Sequence, residues 1–94
     1  MTDDARLTVT TDGDGCLVSA RAGGETYHYR LRVDDDDAHR FDASPEAIAR
    51  ATIAFLLDRE PPTSILGSFD CAMVPRYFPE YRNALGGYLR SQAS

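Results

Sequence analysis

The sequence predicts an α+β domain: a three-stranded antiparallel β-meander, then one long helix and two or three short C-terminal helices. Three observations carry that expectation. Strict two-residue alternation runs through residues 25–33, Asp/Gly-rich turns punctuate the first third, and an apolar helical pattern starts at Ser44 and stops at Pro61-Pro62. The 94 residues suit a single small domain, with the meander over about 6–33, an acidic connection over 34–43 and a helical part over 44–91.

The first strand is Arg6-Leu7-Thr8-Val9-Thr10-Thr11, where polar and apolar residues alternate and β-branched threonines favour a pleated, half-buried surface. Asp12-Gly13-Asp14-Gly15 is turn chemistry, because Gly accepts positive φ and Asp bonds its own backbone. Cys16 to Arg21 returns, Ala22-Gly23-Gly24 turns again, and Glu25 to Val33 is the third strand. In that strand Tyr27, Tyr29, Leu31 and Val33 take one face and Thr26, His28, Arg30 and Arg32 the other. The meander is expected to have one covered face and one wet face.

Asp34 to Asp42 reads as a polar, solvated connection whose only large apolar residue is Phe41. Ser44 is an N-cap and Pro45 the first helical residue, where a missing N–H is harmless. The helix is expected to reach Arg59 or Glu60, because the residue before a proline avoids helical dihedrals. At about 100° per residue, Ile48, Ala51, Thr52, Ile53, Phe55, Leu56 and Leu57 span about two-thirds of its circumference, far more than a surface helix needs. Such a helix must be covered on two sides, by the sheet and by the C-terminal third or a second subunit. Further on, Thr63-Ser64 and Asp70 can each cap a single turn. Pro79 opens a last helix, with Tyr81, Ala84, Leu85, Tyr88 and Leu89 at helical spacing and Gly86-Gly87 weakening its end.

From Phe55 to Tyr81 the chain resembles the C-terminal half of a group of small bacterial proteins without an assigned function. Phe55-Leu56-Leu57-Asp58-Arg59-Glu60-Pro61, Ser64-Ile65-Leu66, Phe69-Asp70 and Arg76-Tyr77-Phe78-Pro79-Glu80-Tyr81 carry the likeness. It covers roughly the last half of the chain, implies a bacterial cytoplasmic protein, and transfers no catalytic residue.

Charge is uneven. Net charge is −5, nearly all of it within residues 34–46, and the ten basic residues are all Arg. The longest apolar run, Ile53 to Leu57, is too short for a membrane span, and the acidic N-terminus lacks the apolar core of a signal peptide. Two cysteines form neither a disulfide framework nor a metal spacing, so reduced, buried thiols in the cytoplasm are expected. Asp34-Asp35-Asp36-Asp37, with His39 and Asp42, suggests a hard-cation site. The spacing fails the calcium-loop template, since no Gly is sixth from Asp34 and Pro45 stands in the twelfth position. No metal, cofactor or catalytic residue is expected, because phosphate loops, nucleophile elbows and paired carboxylates are all missing from the sequence.

Two surfaces remain as candidates. Arg6, Arg21, His28, Arg30 and Arg32 share the wet face of the meander, an anion- or partner-binding face. Tyr77, Phe78 and Tyr81 cluster around Pro79 as partner-contact aromatics, with a plain structural corner as the competing reading. The sequence predicts a non-catalytic protein-interaction or regulatory module, binding another protein or itself, with a homodimer left open. Anion or nucleic-acid binding through the arginine face is the alternative. The acidic balance and the separation of tyrosines from arginines onto opposite faces disfavour nucleic acid.

Overall fold

The computed structural model describes residues 6–13, 15–22 and 24–93, except for the side chains of Arg6, Asp12, Ala22 and residues 91–93. The acidic stretch 1–4, and Asp14 and Gly23 of the two expected turns, lie outside the described residues. The meander forms as its alternation requires: β1 (Arg6–Asp12), β2 (Gly15–Ala22) and β3 (Glu25–Arg32), antiparallel and in register without a bulge. Gly13 takes φ 65° in the first turn, a conformation that glycine adopts without strain. Gly15 is fixed by close approach, since a Cβ there would stand 2.7 Å from the Leu31 carbonyl oxygen.

Three features correct the sequence reading. The sheet has a fourth strand, β4 (Ser68–Asp70), pairing parallel to β3, so the order is β1-β2-β3-β4 and the sheet is mixed. The Arg30 amide also donates to the Gly67 carbonyl at 2.7 Å, starting that pairing one residue early. The acidic connection is a helix, α1 (Asp35–Phe41), rather than a solvated linker. Asp34 caps it through its carboxylate, and Asp35, Asp36 and Asp37 occupy the first turn, where the helix dipole favours negative charge. Lastly, the chain has two thirteen-residue helices, not one: α2 (Pro45–Leu57) and α4 (Tyr81–Ala93), the latter continuous through Gly86-Gly87.

The start of α2 is as expected, with the Ser44 hydroxyl accepting from the Ala47 amide at 3.2 Å. Its end comes earlier, at Leu57, and Arg59 and Glu60 both donate their amides to the Leu56 carbonyl. A 3₁₀ turn, Pro62–Ser64, and a second, Cys71–Met73, flank β4. Asp70 caps the second turn through the Ala72 amide at 2.9 Å, and α3 (Val74–Tyr77) follows at once.

The core lies between the sheet and α2. Cys16, Val18, Ala20, Tyr29 and Leu31 from the sheet meet Ile48, Ala49, Ala51, Ile53, Phe55 and Leu56 from the helix. The opposite side of α2 is covered by α4 through Tyr81 and Leu85, so the wide apolar arc has its two covers within one chain. Both cysteines are buried and free. Among the described residues no helix is long and apolar enough to cross a membrane.

Candidate functional site

Where α2 ends, the chain crosses to the far edge of the sheet in short pieces, and these pieces enclose a groove of about 520 Å³. Leu56 contributes from α2, Ile65 and Leu66 from the link before β4, and Phe69 from β4 itself. Met73, Val74, Tyr77 and Phe78, with Glu60 and Ser64, complete the lining. The segment is built from proline-limited turns too short to bury apolar side chains on more than one side. Three large hydrophobic side chains stand out in the solvent as a result: Leu66 at 67 %, Met73 at 42 % and Tyr77 at 68 % exposure. All three line this one groove.

The groove has a rigid base. Phe78 reaches from its lining into an aromatic cluster on the Phe55 ring, which Phe78, Tyr81 and Tyr88 each meet edge-on with centroids 5.3–5.9 Å apart. The Arg59 guanidinium lies 3.8 Å above the same ring, donates to the Phe55 carbonyl, and pairs with Glu80 at 3.0 Å. A backbone hydrogen bond and the Arg59 charge together hold the Glu80 carboxyl below the usual carboxylate range. On the other flank the Tyr29 hydroxyl donates to the Pro62 carbonyl at 2.7 Å, pinning the crossing segment to β3.

Tyr77 sits on the exposed rim and Phe78 is half-buried between groove and core, so two of the three expected contact aromatics fall at this site. Tyr81 does not. It is fully buried, with its hydroxyl 2.7 Å from Thr52 Oγ1, and burial raises its pKa. Its spacing to Leu85 is the ordinary signature of a core-facing helix stripe, which the aromatic clustering around Pro79 obscured. Leu66, Met73 and Phe69 were not singled out in the sequence, since nothing local marks which residue of a broken apolar segment stays outside.

Four residues of the expected anion face, Arg21, His28, Arg30 and Arg32, alternate onto one side of the sheet. Arg21, His28, Arg30 and Arg32 are exposed, and Arg6 stands directly opposite Arg21 in the ladder. His28 Nδ1 lies 3.1 Å from the Ser19 hydroxyl, and Asp70 is registered against Arg32, placing an acid within the basic surface.

Neither cysteine is placed for nucleophilic chemistry. Burial pushes the Cys71 thiol up to about 12, and Cys16 is raised by burial too, so neither is a thiolate near neutral pH. Among the described residues no three His, Cys, Asp or Glu side chains gather to hold a metal ion. No protein-family model, curated protein or solved structure matches the chain.

Proposed function

We propose that this protein is a small interaction module that takes an apolar-anchored segment of a partner protein into the groove beside β4. One observation supports this above others: the exposed large hydrophobics Leu66, Met73 and Tyr77 converge on a single groove with an aromatic base. Scattered apolar residues need no explanation, but a contiguous patch of this kind marks an interaction surface. Tyr, Phe and Met are the residue types enriched where partners bind. A small ligand would be mostly enclosed by its site. Here the rim residues Leu66 and Tyr77 are two-thirds exposed, which suits a partner that covers the rim as well as filling the floor.

The test is selection of random peptides on the wild-type protein, with counter-selection on Leu66→Ser/Tyr77→Ser. The expected winners carry two or more apolar anchors and shift the amide resonances of Ile65, Phe69, Met73 and Phe78. Peptides that bind the double variant equally well, or that shift residues elsewhere, would remove the groove from this role.

The second reading, anion binding on the open sheet face, is favoured by the shared placement of Arg21, His28, Arg30 and Arg32. It is weakened by Asp70 beside Arg32 and by the lack of any Phe, Tyr or Trp among the described residues of that face. Any anion held there would be a phosphate or carboxylate contacted by guanidinium groups, with no stacked base.

A further inference from the structure

The groove beside β4 has a single charged side chain in its lining, Glu60, half-buried among residues such as Leu56, Ile65 and Phe69. The acids around it are already engaged. Glu80 pairs with Arg59, Asp58 accepts from the Tyr88 hydroxyl, and Asp70 accepts from the Ala72 amide. Among the described residues nothing donates to the Glu60 carboxylate or pairs with it. A carboxylate partly withdrawn from water into an apolar groove favours an arriving cation, which offsets the lost solvation.

The strand beside the groove offers backbone groups as well. The Arg30 amide donates to the Gly67 carbonyl, and Arg30, Leu31 and Arg32 are registered against Ser68, Phe69 and Asp70. In a parallel ladder of this phase the N–H and C=O of Phe69 turn toward β3. The N–H and C=O of Ser68 and the N–H of Asp70 then turn outward. Among the described residues β4 is the last strand of the sheet, so no further strand receives them. Phe69 is registered against the buried Leu31, which places its side chain on the helix-covered side, where it lines the groove. A chain laid along β4 would therefore set every second side chain on the groove side while its backbone bonds to Ser68 and Asp70.

Resting on the groove reading above, we infer that the occupant is an extended, basic and apolar segment of a partner protein. It adds to β4 as a fifth strand, sets apolar side chains at alternate positions into the groove, and brings a Lys or Arg to Glu60. A helical segment has its backbone groups bonded within itself and leaves those of Ser68 and Asp70 unused. An acidic segment sets like charge against Glu60. Three strand residues give few main-chain bonds, so the apolar anchors and the charge pair carry the selectivity.

The probes are the peptides enriched on the wild-type protein, synthesised singly and titrated by calorimetry. They should carry apolar residues at i and i+2 and a nearby Lys or Arg, and they should slow exchange of the Ser68 and Asp70 amides. Glu60→Gln, close in shape and at a half-exposed position, keeps the fold and should weaken binding about fivefold. Glu60→Arg should weaken it further, and a peptide with Glu in place of its basic residue should regain affinity for that variant. Methylating peptide amides one at a time should disrupt binding only at alternate positions. Peptides that shift residues away from the groove would remove the groove reading itself. Peptides that occupy the groove without a basic residue, or that ignore Glu60→Arg, would overturn this inference alone. Apolar anchors spaced at i, i+3 and i+4 would overturn it too, leaving the groove as a helix-binding site.

Discussion

The ring of Phe78 meets the ring of Phe55 edge-on, at 5.7 Å and 88°, and this contact joins the groove to the hydrophobic core. Phe55 is fully buried at the centre of the α2 face, with Tyr81 and Tyr88 on its other sides and Arg59 over the ring. Phe55→Ala should therefore cost about 3–5 kcal/mol in urea unfolding, a large part of the ~5–15 kcal/mol typical of a domain. Tyr77→Ser, two-thirds exposed on the rim of the same groove, should change stability by no more than about 0.5 kcal/mol. A loss below about 1 kcal/mol for Phe55→Ala would mean that the groove has no rigid base.

Asp37 and Arg82 tie α1 to α4, and their removal should not be equivalent. The Asp37 side chain is 1 % exposed, with one oxygen 3.5 Å from Arg82 Nε and the other without a hydrogen-bond partner among the described residues, while the Arg82 side chain is 38 % exposed. Arg82→Met leaves a buried carboxylate uncompensated, at about 1–3 kcal/mol after allowing for water reaching it from the exposed side. Asp37→Asn leaves only a partly solvated guanidinium, which water satisfies, and should cost less. Chemical unfolding of both variants checks this, and the reverse order would refute it.

The elements that were legible in the sequence are those whose causes are local. Two-residue alternation and Asp/Gly turns specify the meander, and a Ser-Pro cap with a Pro-Pro stop specifies α2. The missed elements depend on distant partners. Aspartate is a poor helix former, and α1 packs against α2 and pairs its one buried aspartate, Asp37, with Arg82, 45 residues away. Three residues are too few to show a period, so β4 is visible only through its ladder with Arg30, Leu31 and Arg32. The groove was half legible for the same reason. Tyr77 and Phe78 stand out as aromatics, whereas the exposure of Leu66 and Met73 follows from how the short turns stack.

Stability should fall at alkaline pH, and Cys71 supplies part of the slope. Burial raises its thiol from 9.0 to about 12, with the Thr52 and Tyr81 hydroxyls only partly offsetting that effect. Above pH 9 the unfolded chain releases this proton and the folded chain keeps it, so the unfolded state binds fewer protons and stability declines as pH rises. The loss is about 1.4 kcal/mol per pH unit until the folded pKa is reached. Tyr81, also raised by burial, adds to the decline above its ordinary value of 10.0. Urea midpoints measured from pH 7 to 10.5 should drop, and Cys71→Ala should make the drop shallower between pH 9 and 10. An unchanged slope in that variant would show that the thiol titrates freely in the folded protein.

The arginine face should not bind nucleic acid, and its register explains why. Arg30 and Arg32 follow each other on the exposed side of β3, but Asp70 of β4 is registered against Arg32 and Ser68 against Arg30. Arg21 stands at the other end of that face, opposite Thr26, with His28 and Ser19 hydrogen-bonded between. The positive charge is thus split into two groups and partly offset, on a chain of net charge −5. The aromatic rings of β3 belong to Tyr27 and Tyr29, which alternate onto the covered face, so no stacking platform accompanies the arginines. Labelled single- and double-stranded oligonucleotides should show no saturable binding at physiological salt. Were phosphates bound there, each lost contact would lower the slope of log K against log salt by about one unit. Arg30→Glu/Arg32→Glu should leave thermal stability within about 1 kcal/mol of wild type, since exposed charges contribute little to the fold. Tight, salt-sensitive oligonucleotide binding that this variant abolishes would make the open sheet face, rather than the groove, the principal binding surface of the protein.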